Sequence, residues 1–437
     1  MRPHCQFASA WHAAPRPVGK AGTLTGVVPP ALLLLVQILV ILGFSRAAMP
    51  LAARVGQPPV IAEMIAGLLL GPSLLGWIAP QVFGLLFPAA SLHTLSMIGQ
   101  IGVVVFMFMV GWRLEIETLK TIGHMALVTS VVSMTVPFAL GSTVAIVAWY
   151  PYAPPGVALL PFALFMGSAM SMTAFPVLVR ILADQGLTRT RVGVLAVTCA
   201  AFNDAAGWLI LAAITMIVRA GSMADAGGTL AGLAVYLVVM FGVARPLVAR
   251  IARRHGTSFG RSIEGVATIV LLVVASAYAT DALGVHALFG AFLAGVVMPR
   301  DAEAERVFSE SVEPMAVTYL LPLFFAFSGL RTSVNLIAGT ELWAQTALIL
   351  AVATGGKGVG TAIGARAMGA TWADASLLGV LMNTRGLIEL VVLNIGFDLG
   401  ILSPVLFSMM VVMAVTTTLL TSPLVSTLKG RASMAAA

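Results

Sequence analysis

The chain is a succession of long apolar runs separated by short polar connections rich in arginine. Thirteen runs are long enough to be read as membrane crossings: 27–45, 55–71, 92–112, 122–149, 157–182, 191–218, 228–250, 262–281, 284–299, 312–330, 341–366, 374–397 and 402–427. A helical span needs ~20 predominantly apolar residues. The runs are solid instead of alternating every second residue, so they predict helices and not the strands of a membrane barrel. The pattern predicts an all-α polytopic membrane protein with 13 transmembrane helices. Residues 1–26, which include His4, His12, Arg16 and Lys20, are polar and irregular. They predict a disordered N-terminal tail in preference to a cleaved signal peptide. Residues 428–437 predict a cytoplasmic tail.

Two runs are interrupted at corresponding places. The fifth carries Ser171-Met172-Thr173-Ala174-Phe175-Pro176, and the twelfth carries Met382-Asn383-Thr384-Arg385-Gly386. Six spans, a linking span and six more start the second set on the opposite side of the membrane, which is the arrangement of six-helix inverted repeats. Unwound backbone at membrane depth is tolerated only where it lines a polar cavity. Matching breaks in inverted halves therefore point to a binding site near the midplane.

Composition removes several alternatives. Of 437 residues, 59% are hydrophobic and 9% charged, against about 25% charged in soluble domains. The net charge of +7 does not imply nucleic acid, because the basic residues sit in the connections. With the N-terminus outside and the C-terminus inside, seventeen of the 24 Lys and Arg fall in inner connections or the inner tail, and only Arg219 and Arg331 in outer ones. That is the asymmetry of the positive-inside rule; Arg2, Arg16 and Lys20 in the N-terminal tail run against it. Cys5 and Cys199 form no disulfide framework, and no Cys/His spacing suggests zinc or haem.

The polar residues inside the spans carry the chemistry. Asp204 is the one formal charge between Val192 and Val218. A carboxylate at the bilayer centre costs about 2.5 kcal/mol or more, so it is neutralised by a proton, by a bound cation or by a paired charge. The structural alternative is a hydrogen bond gluing two helices together. With the neighbouring amide of Asn203 it offers hard oxygen ligands suited to Na⁺ or K⁺. Lys357 lies in Gly355-Gly356-Lys357-Gly358-Val359-Gly360. A P-loop is excluded, since GxxxxGK[ST] is absent and no strand precedes it; the glycines instead allow close helix approach. The buried ammonium needs a partner, either Asp204 or the broken twelfth span. The hydroxyls of Ser171 and Thr173 either complete a cation's coordination or satisfy the kink around Pro176. Arg385 and Glu389, four apart, share a helical face and can pair; alternatively Arg385 neutralises the negative end of the half-helix before it. Glu63 is either a gate residue or interfacial, and His286 reads as a packing residue. No nucleophile–base pair, resident metal set or cofactor motif points to an enzyme.

At these residues the chain resembles the monovalent cation:proton antiporters. The likeness is to their second branch, which includes plant cation/H⁺ exchangers and bacterial Na⁺/H⁺ and K⁺/H⁺ antiporters. The matching stretches are Val60–Ser73, Phe106–Gly111, Ser171–Leu178, Phe202–Trp208, His286–Phe292 and Leu381–Glu389, in the expected order. The resemblance implies a transmembrane domain over 27–427 with two crossed broken helices. It also implies a mobile core at about 92–218 and 341–427, dimerisation helices at about 27–71 and 228–330, and a homodimer in the cell membrane. The family's ion-binding aspartate falls on Asp204 and the residue before it on Asn203, where electrogenic sodium/proton members carry a second aspartate. The core lysine falls on Lys357 and the hydroxyl of the first break on Thr173. The function implied is secondary antiport of Na⁺ or K⁺ against H⁺ without a cofactor. The alternatives are a cation channel and a proton- or sodium-coupled solute symporter.

Overall fold

The computed structural model describes residues 29–113, 123–219, 223–256, 259–260, 262–299 and 302–435; the expected disordered tail at 1–26 lies outside them. Among the described residues the protein is helical, with no strand. The helices are α1 (Pro30–Arg54), α2 (Pro59–Leu70), α3 (Ala89–Arg113), α4 (His124–Val144), α5 (Leu159–Ser171), α6 (Phe175–Asp184), α7 (Arg191–Arg219), α8 (Met223–Val239), α9 (Arg245–His255), α10 (Ile263–Ala282), α11 (Ala287–Val296), α12 (Ala302–Met315), α13 (Leu321–Leu330), α14 (Gly339–Ala367), α15 (Trp372–Met382), α16 (Leu387–Asp398) and α17 (Pro404–Ala435).

Among the described residues, eleven helical stretches are long and apolar enough to cross a membrane, the interrupted Leu159–Asp184 counted as one, which makes this a multi-pass integral membrane protein. The expected spans missing from that set are 284–299 and 374–397. The first holds only the ten-residue α11. The second is divided into α15 and α16, of 11 and 12 residues, each about half a bilayer long at the rise of an α-helix. Length alone therefore supports eleven crossings where thirteen were expected. The shortfall arises where a span is short or broken.

Local sequence explains the starts and the irregularities. Proline opens α1, α2 and α6, where its missing N–H costs nothing. Thr371 caps α15 by accepting from the Asp374 N–H at 3.1 Å, and Ser262 caps α10 through Gly265 at 3.0 Å. His286, expected as packing, caps α11 by accepting from the Leu288 N–H at 3.3 Å. Three π-helical turns occur, Ala145–Trp149, Met240–Ala244 and Ala316–Leu320. Each is centred four residues before a proline, Pro151, Pro246 or Pro322. A proline ring collides with the carbonyl four residues back, and a widened turn removes that collision.

The helices form two bundles. In one, α4 packs on α14 and α5, α14 on α15, and α7 on α4, α5, α6 and α15, with α17 closing against α14, α15 and α16. In the other, α3 packs on α11 and α13, α13 on α2, α10 on α11, and α1 on α2. Contacts of α13 with α16 and of α2 with α17 join them. Glycine sets the closest approaches. A Cβ on Gly67 would lie 2.7 Å from the Ala326 Cα, so α2 and α13 touch backbone to backbone. Gly295 of α11 faces the Phe108 carbonyl and the Trp112 N–H of α3 in the same way. The Gly355–Gly360 run works likewise: Gly356 and Gly360 admit Pro137 and Val136 of α4, and Gly379 of α15 faces Gly358. Lys357 is thereby drawn into the middle of its bundle.

Gly295→Ala should therefore lower the melting temperature of the detergent-purified protein by several degrees, the overpacking costing about 1–3 kcal/mol. Gly43→Ala, on α1 with nothing within 4 Å of the new Cβ, should leave melting unchanged or slightly raised. Equal melting curves for the two variants would contradict this account of the α3–α11 contact.

Candidate ion-binding site

Both expected breaks are present, and they cross each other. α5 ends at Ser171 and α6 begins at Phe175; α15 ends at Met382 and α16 begins at Leu387. The Ala174 N–H donates to the Thr384 carbonyl at 2.8 Å, and the Thr173 hydroxyl donates to the Met382 carbonyl at 2.9 Å. Gly386 makes room for the crossing: a Cβ there would lie 2.7 Å from a Val177 methyl. Thr418 of α17 holds the second break from behind. Its hydroxyl accepts from the Arg385 N–H at 3.0 Å and donates to the Arg385 carbonyl at 2.7 Å.

Interrupting α5 strands the carbonyls of its last turn, where the helix also carries its partial negative charge. Two cations from other helices meet them. Arg385 donates to the Ala169 and Met170 carbonyls, both at 2.7 Å, and Lys357 donates to the Ser171 carbonyl. Arg385 also pairs with Glu389 at 2.9 Å, as the four-residue spacing predicts. All three side chains are essentially inaccessible. The half-helix that Arg385 neutralises is thus α5, across the crossing, and not the one before it in sequence. Lys357 makes its hydrogen bond at the first break, while Asp204, one of the two expected partners, acts on it electrostatically. The reason is common to both: the free carbonyls are concentrated at the C-terminal end of α5.

Asn203 links this charge cluster to α4. Its amide oxygen accepts from the Lys357 ammonium at 3.1 Å and from the Ser133 hydroxyl at 2.9 Å, and its nitrogen donates to the Ser130 carbonyl at 3.2 Å. The opposite orientation would set amide hydrogens against the ammonium, donor against donor. Asp204, one residue on, is only 6% exposed, and neither carboxylate oxygen has a hydrogen-bond partner among the described residues. The Lys357 ammonium and, more weakly, the Phe175 N–H at the positive end of α6 act on it electrostatically, the N–H lying outside full hydrogen-bond geometry. Asp204 lines the wall of a cleft of about 720 Å³. One side of the cleft is α6 and α7, through Phe175, Val179, Val197 and Ala201. The other is α3 and α11, through Phe106, Val110 and Phe292. The cleft therefore runs between the two bundles.

The structure brings Asp204, Asn203, Lys357, Ser171, Thr173, Arg385 and Glu389 to one region around the crossing. The Ser171 hydroxyl is bonded to the Ser168 carbonyl at 2.8 Å, so both break hydroxyls spend their hydrogens on backbone. Glu63 stands apart, buried on α2. Sequence reasoning missed Ser130, Ser133 and Thr418. The signal was there in Thr129-Ser130 with Ser133 three residues on, and in Thr416-Thr417-Thr418, each a polar stripe in an apolar run. It also passed over Arg113 and Glu313, which line the cleft, because they lie at span ends.

Comparison with known proteins places this geometry. Residues 38–428 match the family described as sodium/hydrogen exchanger, transmembrane. The chain is 42% identical over 395 residues to the Na⁺/H⁺ antiporter NhaS4 of Synechocystis, covering 90% of this chain and 96% of that one. It is 37% identical to cation/H⁺ antiporter 19 of Arabidopsis thaliana, covering 90% of this chain and 49% of that protein. It is 33% identical to K⁺/H⁺ antiporter 1 of Saccharomyces cerevisiae, covering 92% and 48%. The chain thus spans about half the length of the plant and yeast relatives. The fold is similar to that of the sodium proton antiporter MjNhaP1 from Methanocaldococcus jannaschii, with a TM-score of 0.65 at 13% identity over 92% of this chain and 98% of that one.

Arg385→Met should destabilise the protein by about 3–5 kcal/mol, the usual effect of stripping one partner from a buried pair, because it strands Glu389 and two carbonyls. Arg385→Met combined with Glu389→Met should melt above the single variant, though below the parent. A double variant that melts no higher than the single would show that the stranded carboxylate is not what the loss exposes.

Proposed function

The chain belongs to the sodium/hydrogen exchanger family, and on that premise we propose that it exchanges Na⁺ or K⁺ for H⁺ by alternating access at Asp204. The observation that carries this reading is a buried carboxylate without a hydrogen-bond partner, opening on a cleft bounded by both bundles. A bare carboxylate in hydrocarbon is costly, so the empty ionised site does not cross. With a proton or a cation on Asp204 the charge is cancelled, and the bundle can move. A proton and a cation use the same oxygens, so binding of one displaces the other. Asn203 and Lys357 hold the carboxylate's surroundings without competing for it, since both are engaged with Ser133 and Ser171.

The moving body in this reading is the bundle of α4–α7 and α14–α17, which carries both breaks. The other bundle is the frame, and α3 belongs to it by its packing on α11 and α13. Arg113 and Arg180 stand on the cleft, and both fall on the inner side in the topology with the N-terminus outside and the C-terminus inside. The cleft is then the inward-open access path. A homodimer joined through the frame, set in the plasma membrane, completes the reading. With Asn203 in place of a second acid, one carboxylate carries the exchange, and one cation moves per proton while Lys357 keeps its own. One pH unit, about 1.4 kcal/mol, then sustains about a tenfold cation gradient.

In everted vesicles Asp204→Asn should abolish the pH change that added Na⁺ or K⁺ induces, and retained exchange would end the assignment. With the parent protein in proteoliposomes, an imposed membrane potential should leave the exchange rate unchanged. A clear dependence on potential would instead assign Lys357 a transported proton.

A further inference from the structure

The route to Asp204 is mostly apolar, and the charged side chains along it besides Asp204 are Arg113, Arg180 and Glu313. Arg180 is paired one turn along its own helix with Asp184, at 3.1 Å. Arg113, at the end of α3, holds Glu313 of α12 in a two-pronged pair, Nη1 to Oε1 at 3.0 Å and Nη2 to Oε2 at 2.5 Å. Glu305 stands 4.0 Å from the Arg113 Nε. The same pair also lines a shallower neighbouring cleft of about 550 Å³, together with Glu305, Arg306 and Glu310. It is therefore the threshold between an outer cleft with three carboxylates against two guanidinium groups and the deep cleft that reaches Asp204.

We propose that the Arg113–Glu313 pair controls cation access to the Asp204 cleft, with Glu313 supplying the negative charge that cancels an arginine at its mouth. Two features favour this over a structural clamp or a moving latch. The side chains are 46% and 32% exposed, and ion pairs at such exposure contribute little to stability. Both residues belong to the frame bundle, since α12, which carries Glu313, packs on α3, so the pair ties no moving part and persists as the other bundle shifts. What it does set is the local field: without Glu313 the mouth is one unit more positive, with only the more distant Glu305 left against the Arg113 guanidinium.

The inference rests on the proposed exchange at Asp204, and the test separates the two. Half-saturating Na⁺ and K⁺ concentrations are measured by dequenching of a pH dye in proteoliposomes, at low ionic strength and with added choline chloride. Glu313→Gln should raise the half-saturating concentration about fivefold at low ionic strength, the effect of one unit charge acting through partly screened water. The shift should shrink with salt, and the maximal rate should hold within about twofold. The exchanged pair, Arg113→Glu with Glu313→Arg, should restore the parent value. An unchanged half-saturating concentration, a shift indifferent to salt, or a lost maximal rate that the exchanged pair fails to restore would each overturn the proposal. Asp204→Asn, run alongside, reports on the exchange site alone: if it still exchanges, the proposed function falls whatever Glu313 does.

Discussion

A helix that stops halfway through a membrane leaves backbone carbonyls with no water to bond, and this protein meets that constraint with two buried cations. Arg385 and Lys357 reach across from other helices to the last three carbonyls of α5. Each ammonium or guanidinium would be costly in hydrocarbon alone, and so would each stranded carbonyl. Together they cancel, and the partial negative end of α5 adds to the attraction. Glu389 balances part of the surplus positive charge. The crossing is then stitched by the hydroxyls of Thr173 and Thr418 on backbone and by the Ala174 N–H on the Thr384 carbonyl, so that two interrupted helices form one polar unit inside an apolar bundle.

Asp204 lies beside that unit with neither carboxylate oxygen hydrogen-bonded among the described residues, while its neighbour Asn203 is held by Ser130, Ser133 and Lys357. The distribution matters, because a fully satisfied carboxylate would act as glue, whereas an unsatisfied one facing a cleft demands a proton or a cation. The cleft follows the seam between the two bundles. In the exchange proposed above, the rigid crossing, the carboxylate and the seam each have a separate part.

The cyanobacterial antiporter matches this chain nearly end to end, whereas the plant and yeast proteins match over about half their length. The archaeal structure has a similar fold at 13% identity, so the architecture is compatible with widely different sequences.

Much was legible in the chain because membranes make sequence rules strict. Apolar run length determined the helices, and the two breaks appeared at Ser171–Pro176 and Met382–Gly386, where the helices do part. The isolated charge at Asp204 and the four-residue spacing of Arg385 and Glu389 could also be read, because both depend on local sequence and on the cost of charge in lipid. Partners distant in sequence could not. That Lys357 meets Ser171, that Arg385 serves α5, that Asn203 leans on Ser133, and that Arg113 faces Glu313 across 200 residues all depend on which helices become neighbours. Helix neighbours are decided by glycine-sized gaps and crossing geometry summed over the whole bundle, and no stretch of sequence contains that sum.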